Sequence, residues 1–144
     1  ALFDQKKGRD LNFQACLLHM QDLKSFKTFL KNMKDIIPVK LDAQISLDMS
    51  DLKGEIWIDD FCEFLHQFKT DGNVTLELYN VTVQSYKAVQ RVKEAVLKHR
   101  VFYKFSMKFI YDDRDYFRVC KEKSEADNDE TKYLISRGYV KMDI

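Results

Sequence analysis

The apolar residues of this chain change period repeatedly, from every second position to every third or fourth and back, and few folds accommodate that switching. Leu11-Asn12-Phe13-Gln14-Ala15-Cys16-Leu17 alternates apolar and polar, as a half-buried strand does. From Asp22 the spacing changes. Leu23, Phe26, Leu30 and Met33 recur at three and four, which predicts a helix with Asp22 as its N-cap. Pro38 ends it, because proline disfavours helix at the residue before it.

Val39 to Asp48 is the clearest strand: Val39, Leu41, Ala43, Ile45 and Leu47 face one way, Lys40, Asp42, Gln44, Ser46 and Asp48 the other. A helix over Asp59 to Phe68 carries Phe61, Phe64, Leu65 and Phe68 on one side. Val74 to Tyr79 alternates again. A third helix, Val83 to His99, presents Tyr86, Val89, Val92, Val96 and Leu97, and a strand follows with Val101, Tyr103, Phe105, Met107 and Phe109 inward. Towards the end the pattern predicts a short helix over Tyr116 to Glu122, a mobile charged loop over Lys123 to Lys132 and a last strand over Tyr139 to Ile144.

Strands joined by helices are usually parallel neighbours with crossovers of one hand. A sheet covered on both faces would have strands that read as continuous apolar runs, and these do not. The expected fold is therefore α/β and two-layered, with repeated strand–helix units and every helix on one face, like a leucine-rich-repeat stack. The strand starts Leu11, Val39, Val74 and Val101, roughly 27 to 35 residues apart, suit such a repeat. Ile56, Ile58, Phe61 and Phe64 echo Val81, Val83, Tyr86 and Val89 at one constant offset. An open two-layer α/β sandwich of ordinary topology is the alternative.

A chain of 144 residues with 45% apolar content suits a single domain with its own core, and one proline and four glycines leave no linker. The start at Ala1-Leu2-Phe3 leads us to expect a C-terminal piece of a longer protein. A net charge of +1 gives no general field to draw nucleic acid or an anionic membrane, and no apolar run is long enough to cross a bilayer. Cys16, Cys62 and Cys120 are distant and odd in number, so reduced thiols and an intracellular site, cytoplasmic or nuclear, are expected. Asn73-Val74-Thr75 and Asn80-Val81-Thr82 pull the other way as glycosylation sequons, although both also suit strand flanks.

Few residues point to chemistry. His19, His66 and His99 show no helix-borne metal spacing, and there is no glycine-rich phosphate loop or nucleophile turn. Asp59-Asp60 suits a helix start. Asp48, Asp51, Asp112, Asp113 and Asp115 follow strands and form the alternative of a metal-dependent phosphoesterase or nuclease. A second alternative is an RNA-binding accessory domain that uses its aromatics for stacking. The expectation is instead no catalytic residue, no metal, no cofactor and no small-molecule substrate.

The uncovered sheet face is expected to meet another protein. It would present Lys40, Asp42, Gln44 and Ser46, then Thr75, Glu77 and Tyr79, then Phe102, Lys104, Ser106 and Lys108. Phe102 and Tyr79 would be its aromatic anchors, unless Phe102 turns into the core at the strand end.

Within Asn73 to Tyr111, the run NVTLELYNVTVQSYKAVQRVKEAVLKHRVFYKFSMKF is similar to the C-terminal part of the nematode F-box-associated FTH domain. That family tends to show a strand, a valine-rich step into a helix, an Lk-x-x-ll helical core and an F-x-kF-x-i strand. Val81-Thr82-Val83, Val96-Leu97-Lys98 and Phe102-Tyr103-Lys104-Phe105 occupy those places. The resemblance implies an F-box that docks on a ubiquitin-ligase scaffold, with this domain as the adaptor part that selects the protein brought to it.

Overall fold

Asp22 starts the first helix in the computed structural model as the sequence predicts. Its Oδ1 accepts the Ser25 N–H at 2.8 Å, which satisfies a donor that the helix cannot. The structure describes residues 11–35, 41–82, 86–110, 132–136 and 139–144. Strand β1 (Leu11–His19), helix α1 (Leu23–Asp35), strand β2 (Leu41–Asp48), helix α2 (Ile58–Gln67), strand β3 (Val74–Thr82), helix α3 (Tyr86–His99) and strand β4 (Lys104–Ile110) follow in turn. Two further strands, β5 (Lys132–Ser136) and β6 (Tyr139–Asp143), close the order.

One sheet holds all six strands in the order β1-β2-β3-β4-β6-β5. Strands β1 to β4 are parallel, and β6 pairs antiparallel with both β4 and β5. Parallel pairing sets Leu11 beside Leu41, Ala43 beside Val74 and Thr75 beside Lys104. Each unit therefore adds its strand next to the one before, always in the same direction, and α1 packs on α2 and α2 on α3.

The burial of the strands shows which side the helices cover. Ala43, Ile45 and Leu47 are buried while Asp42, Gln44, Ser46 and Asp48 are not, and β3 buries Val74, Leu76 and Leu78 in the same alternation. Their apolar side meets Phe26, Leu30 and Met33 from α1, Phe61, Phe64 and Leu65 from α2, and Val89, Val92 and Val96 from α3. Trp57, Phe26 and Phe61 are wholly enclosed, with ring centroids 5.9 to 6.4 Å apart. Full burial of each such ring contributes about 2 to 3 kcal/mol. Between the helices the ties are polar: Lys27 to Asp60 at 3.8 Å, Lys34 Nζ to Gln67 Oε1 at 3.0 Å, and Arg91 to Asp59. The protein is thus a two-layer α/β fold.

Several expectations change. Phe102 does not join the open polar row. It packs against the core, stacked on Phe61 at 6.4 Å and Phe105 at 5.9 Å, because β4 starts only at Lys104 and the two-residue alternation does not reach back to it. Tyr103, expected inward, is 65% exposed for the same reason. A register shift in β1 between Gln14 and Leu17 places Leu17 beside Ser46, so this leucine, expected in the core, is 53% exposed on the open side. The constant-offset echo does not link equivalent positions, since Ile56 is exposed in a turn while Val81 is buried in β3. Strand β5 occupies Lys132–Ser136, beyond the charged stretch in which no strand is expected. Lys40, the expected helix over Tyr116 to Glu122, most of the expected loop from Lys123, and Asp112, Asp113 and Asp115 lie outside the described residues.

Candidate functional site

Because the helices cover one side, the described side chains on the other side of β2 to β4 are polar, and the rows of the face can be read from the register. Gln44, Thr75 and Lys104 form one row, and Leu17, Ser46, Glu77 and Ser106 the next. His19, Asp48 and Tyr79 form the third. Of the residues expected to meet a partner, Asp42, Gln44, Thr75, Glu77, Tyr79, Lys104 and Lys108 therefore share this face, whereas Phe102 lies on the opposite side.

Side chains within the face hold one another. The Tyr79 hydroxyl donates to Glu77 Oε2 at 2.6 Å, and the Ser46 hydroxyl to Glu77 Oε1 at 3.5 Å. Lys108 Nζ lies 5.0 Å from the centre of the Tyr79 ring, within reach of a cation–π attraction. The Glu77 carboxylate, which favours the neutral phenol, pushes the Tyr79 hydroxyl up to about 12. Charge is segregated across the sheet: carboxylates stand on β2 and β3 (Asp42, Asp48, Glu77), lysines on β4 (Lys104, Lys108).

Where the parallel strands end, four side chains from three distant parts of the sequence converge. His19 Nδ1 lies 3.0 Å from Asp48 Oδ2, and His19 Nε2 lies 2.7 Å from Asp51 Oδ2. Asp48 also accepts from Asn80 Nδ2 and from the Ser50 N–H, both at 3.0 Å. Asn80 reaches it from a bulge in β3, where its φ of 58° is left-handed, a region that asparagine tolerates. The bond from Asn80, followed by that to His19, holds the Asp48 carboxyl well below the usual carboxylate range. Hydrogen bonds to Asp48, then Asp51, raise the His19 pKa. Both ring nitrogens point at carboxylates, so the cluster favours imidazolium.

Two of the five acids in the phosphoesterase alternative, Asp48 and Asp51, are thus tied to a histidine. Among the described residues no group of three or more His, Cys, Asp or Glu is placed to hold a metal ion. Cys62 is half-buried and free, and burial pushes its thiol up. Of the two sequons, Asn73 is exposed at the start of β3 and Asn80 spends its amide nitrogen on Asp48. Among the described residues no helix is long and apolar enough to cross a membrane.

At the opposite end of the sheet, a groove of about 540 Å³ runs between the ends of α2 and α3 and the turns that enter β3 and β4. His66 and His99 meet there edge to face at 5.4 Å, beside Lys69, Asp71 and Arg100. Burial, followed by the neighbouring His66, lowers the His99 pKa. The cations stand at helix C-termini, whose partial negative charge they complement. Sequence reasoning missed both histidine clusters. Their members lie about thirty residues apart and meet only after the strands pair in parallel.

No protein-family model matches the chain, and neither a curated protein nor a solved structure matches it.

Proposed function

We propose that this domain is a non-catalytic recognition module that takes up another protein on its open sheet face. The observation that carries the reading is the one-sided cover of the sheet. Helices α1 to α3 shield the apolar side, and among the described residues the opposite side carries no helix and bears polar side chains together with Tyr79 and Leu17. A sheet whose strands advance in one direction has no switch point, where α/β enzymes form their crevice. RNA is disfavoured on this face because the carboxylates of β2 and β3 repel phosphodiesters. Strands that advance unit by unit also suit the leucine-rich-repeat-like stack. On the resemblance to the FTH domain, the module would be the intracellular substrate-selecting part of an F-box ubiquitin-ligase adaptor, with Asp42, Gln44, Thr75, Glu77, Tyr79, Lys104 and Lys108 in contact.

The test compares proteins captured by the wild-type domain with those captured by Tyr79→Ala/Lys104→Glu and by the helix-side variant Lys31→Glu. Partners lost only with the open-face variant support the reading. Partners lost only with the helix-side variant, or kept by both, refute it.

A further inference from the structure

The segregation of charge across the open face has a geometric consequence. Carboxylates stand on β2 and β3, and lysines on β4. Such a face is complementary to itself under a two-fold axis that runs along the strands between β3 and β4. The axis exchanges β3 for β4 while it preserves strand direction and residue level. The level of Glu77 is that of Ser106, so Glu77 of one copy would stand between Lys104 and Lys108 of the other, and the same contact would form twice. An axis across the strands would instead set β4 on β4 and oppose lysine to lysine. We infer that the open face binds a second copy of this chain, in an aligned sheet-on-sheet dimer held by Glu77 against Lys104 and Lys108. This names the occupant of the proposed contact surface and rests on that surface being exposed.

The area sets the strength. Six strands of five to nine residues, at ~3.3 Å per residue and ~4.8 Å spacing, give a face of roughly 700 Å², close to the ~800 Å² per partner of a standard specific interface. Leu17, 53% exposed on the same face, adds an apolar contact at the β1 margin. The other described side chains of the face are polar, and Glu77 and Tyr79 already hydrogen-bond each other. The dimer is reversible and weakened by salt, because its defining contacts are between charges.

Sedimentation velocity across concentration, at ionic strengths of about 0.05 M and 0.5 M, tests this. The wild type should dimerise at the higher concentrations and low salt, and revert to monomer at high salt. Lys104→Glu/Lys108→Glu and Glu77→Lys should each stay monomeric, with their melts checking the fold. Mixed together, the two should form a heterodimer, since Lys at 77 of one then faces Glu at 104 and 108 of the other. If Glu77→Lys unfolds, Glu77→Gln keeps an acceptor for Tyr79 and should weaken the dimer about tenfold. A wild type that stays monomeric throughout, a dimer indifferent to both variants or strengthened by salt, or a mixture that does not pair overturns the inference. A monomer whose open-face variant still loses a captured partner would remove the second copy and leave the recognition surface standing. If that variant also loses nothing, both fall.

Discussion

The two aromatics named as anchors of the open face, Phe102 and Tyr79, lie on opposite sides of the sheet, and replacing each by alanine should separate stability from recognition. Phe102 is half-buried and stacks on Phe61 and Phe105 with interplanar angles of 7° and 23°. Removing a fully buried phenylalanine costs about 3 to 5 kcal/mol, and an aromatic pair adds about 0.5 to 1.5 kcal/mol beyond its buried area. For a ring only partly enclosed, Phe102→Ala should cost about 2 kcal/mol, equivalent to roughly 6 °C in Tm for a chain of this length. Tyr79→Ala loses one hydrogen bond to Glu77 and the overlying Lys108, both at the surface, and should cost about 1 kcal/mol or less. Urea denaturation at constant m gives both values. A Phe102→Ala variant within about 0.5 kcal/mol of wild type would refute its place against the core, and its loss of partner capture while still folded would return it to the open face.

Three further outcomes follow from the same geometry. Trp57 is fully enclosed and its indole N–H finds no acceptor among the described residues, so Trp57→Phe sets a lost-volume cost against the removal of an unsatisfied donor. It should change unfolding free energy by no more than about 1.5 kcal/mol, against about 4 for Trp57→Ala. Leu17→Lys should leave the melt nearly unchanged if the β1 bulge turns this residue outward, whereas Ile45→Ala, from the wholly buried centre of β2, should cost about 3 kcal/mol. The His19 cluster fixes a pH window. The folded pKa of His19 is raised, so its contribution is present below its ordinary value near 6.5 and lost as pH rises through the folded value. Asp48 is depressed, so its contribution is present above its ordinary value near 3.8 and lost as pH falls. The tie is strongest between those limits, and His19→Gln should flatten the decline of Tm as pH rises above about 6.5.

Most of the architecture was legible because alternation reports burial directly. The row Ala43, Ile45, Leu47 and the stripe Phe26, Leu30, Met33 each need only their own segment to be read. What failed required a partner strand. A bulge changes facing without changing composition, so nothing in the residues before Leu17 announces that β1 slips against β2. Phe102 misled because alternation was extended past the true start of β4 at Lys104. Strand β5 is short and adjoins a charged stretch, and only its pairing with β6 makes it a strand. For the candidate site, the polar row was readable residue by residue, but its charge segregation and the His19–Asp48–Asp51 cluster depend on which strands become neighbours.

The mode of growth of the sheet also bears on function. When successive units add in one direction, each new helix lies beside the last, and the carboxyl ends of β1 to β3 form an edge. His19, Asp48, Asp51 and Asn80 satisfy one another, with both imidazole nitrogens held and Asp48 accepting three hydrogen bonds, an arrangement that fastens the ends of β1, β2 and β3. Among the described residues, the extended area without a helix over it is the polar side of the sheet. Its side chains are short or held across strands, as Ser46, Glu77, Tyr79 and Lys108 are, so less conformational entropy remains to be lost when a partner arrives. A pre-ordered polar plane with carboxylates on β2 and β3 and lysines on β4 is suited to selecting the orientation of what binds it, and orientation is what the paired charge reversals measure.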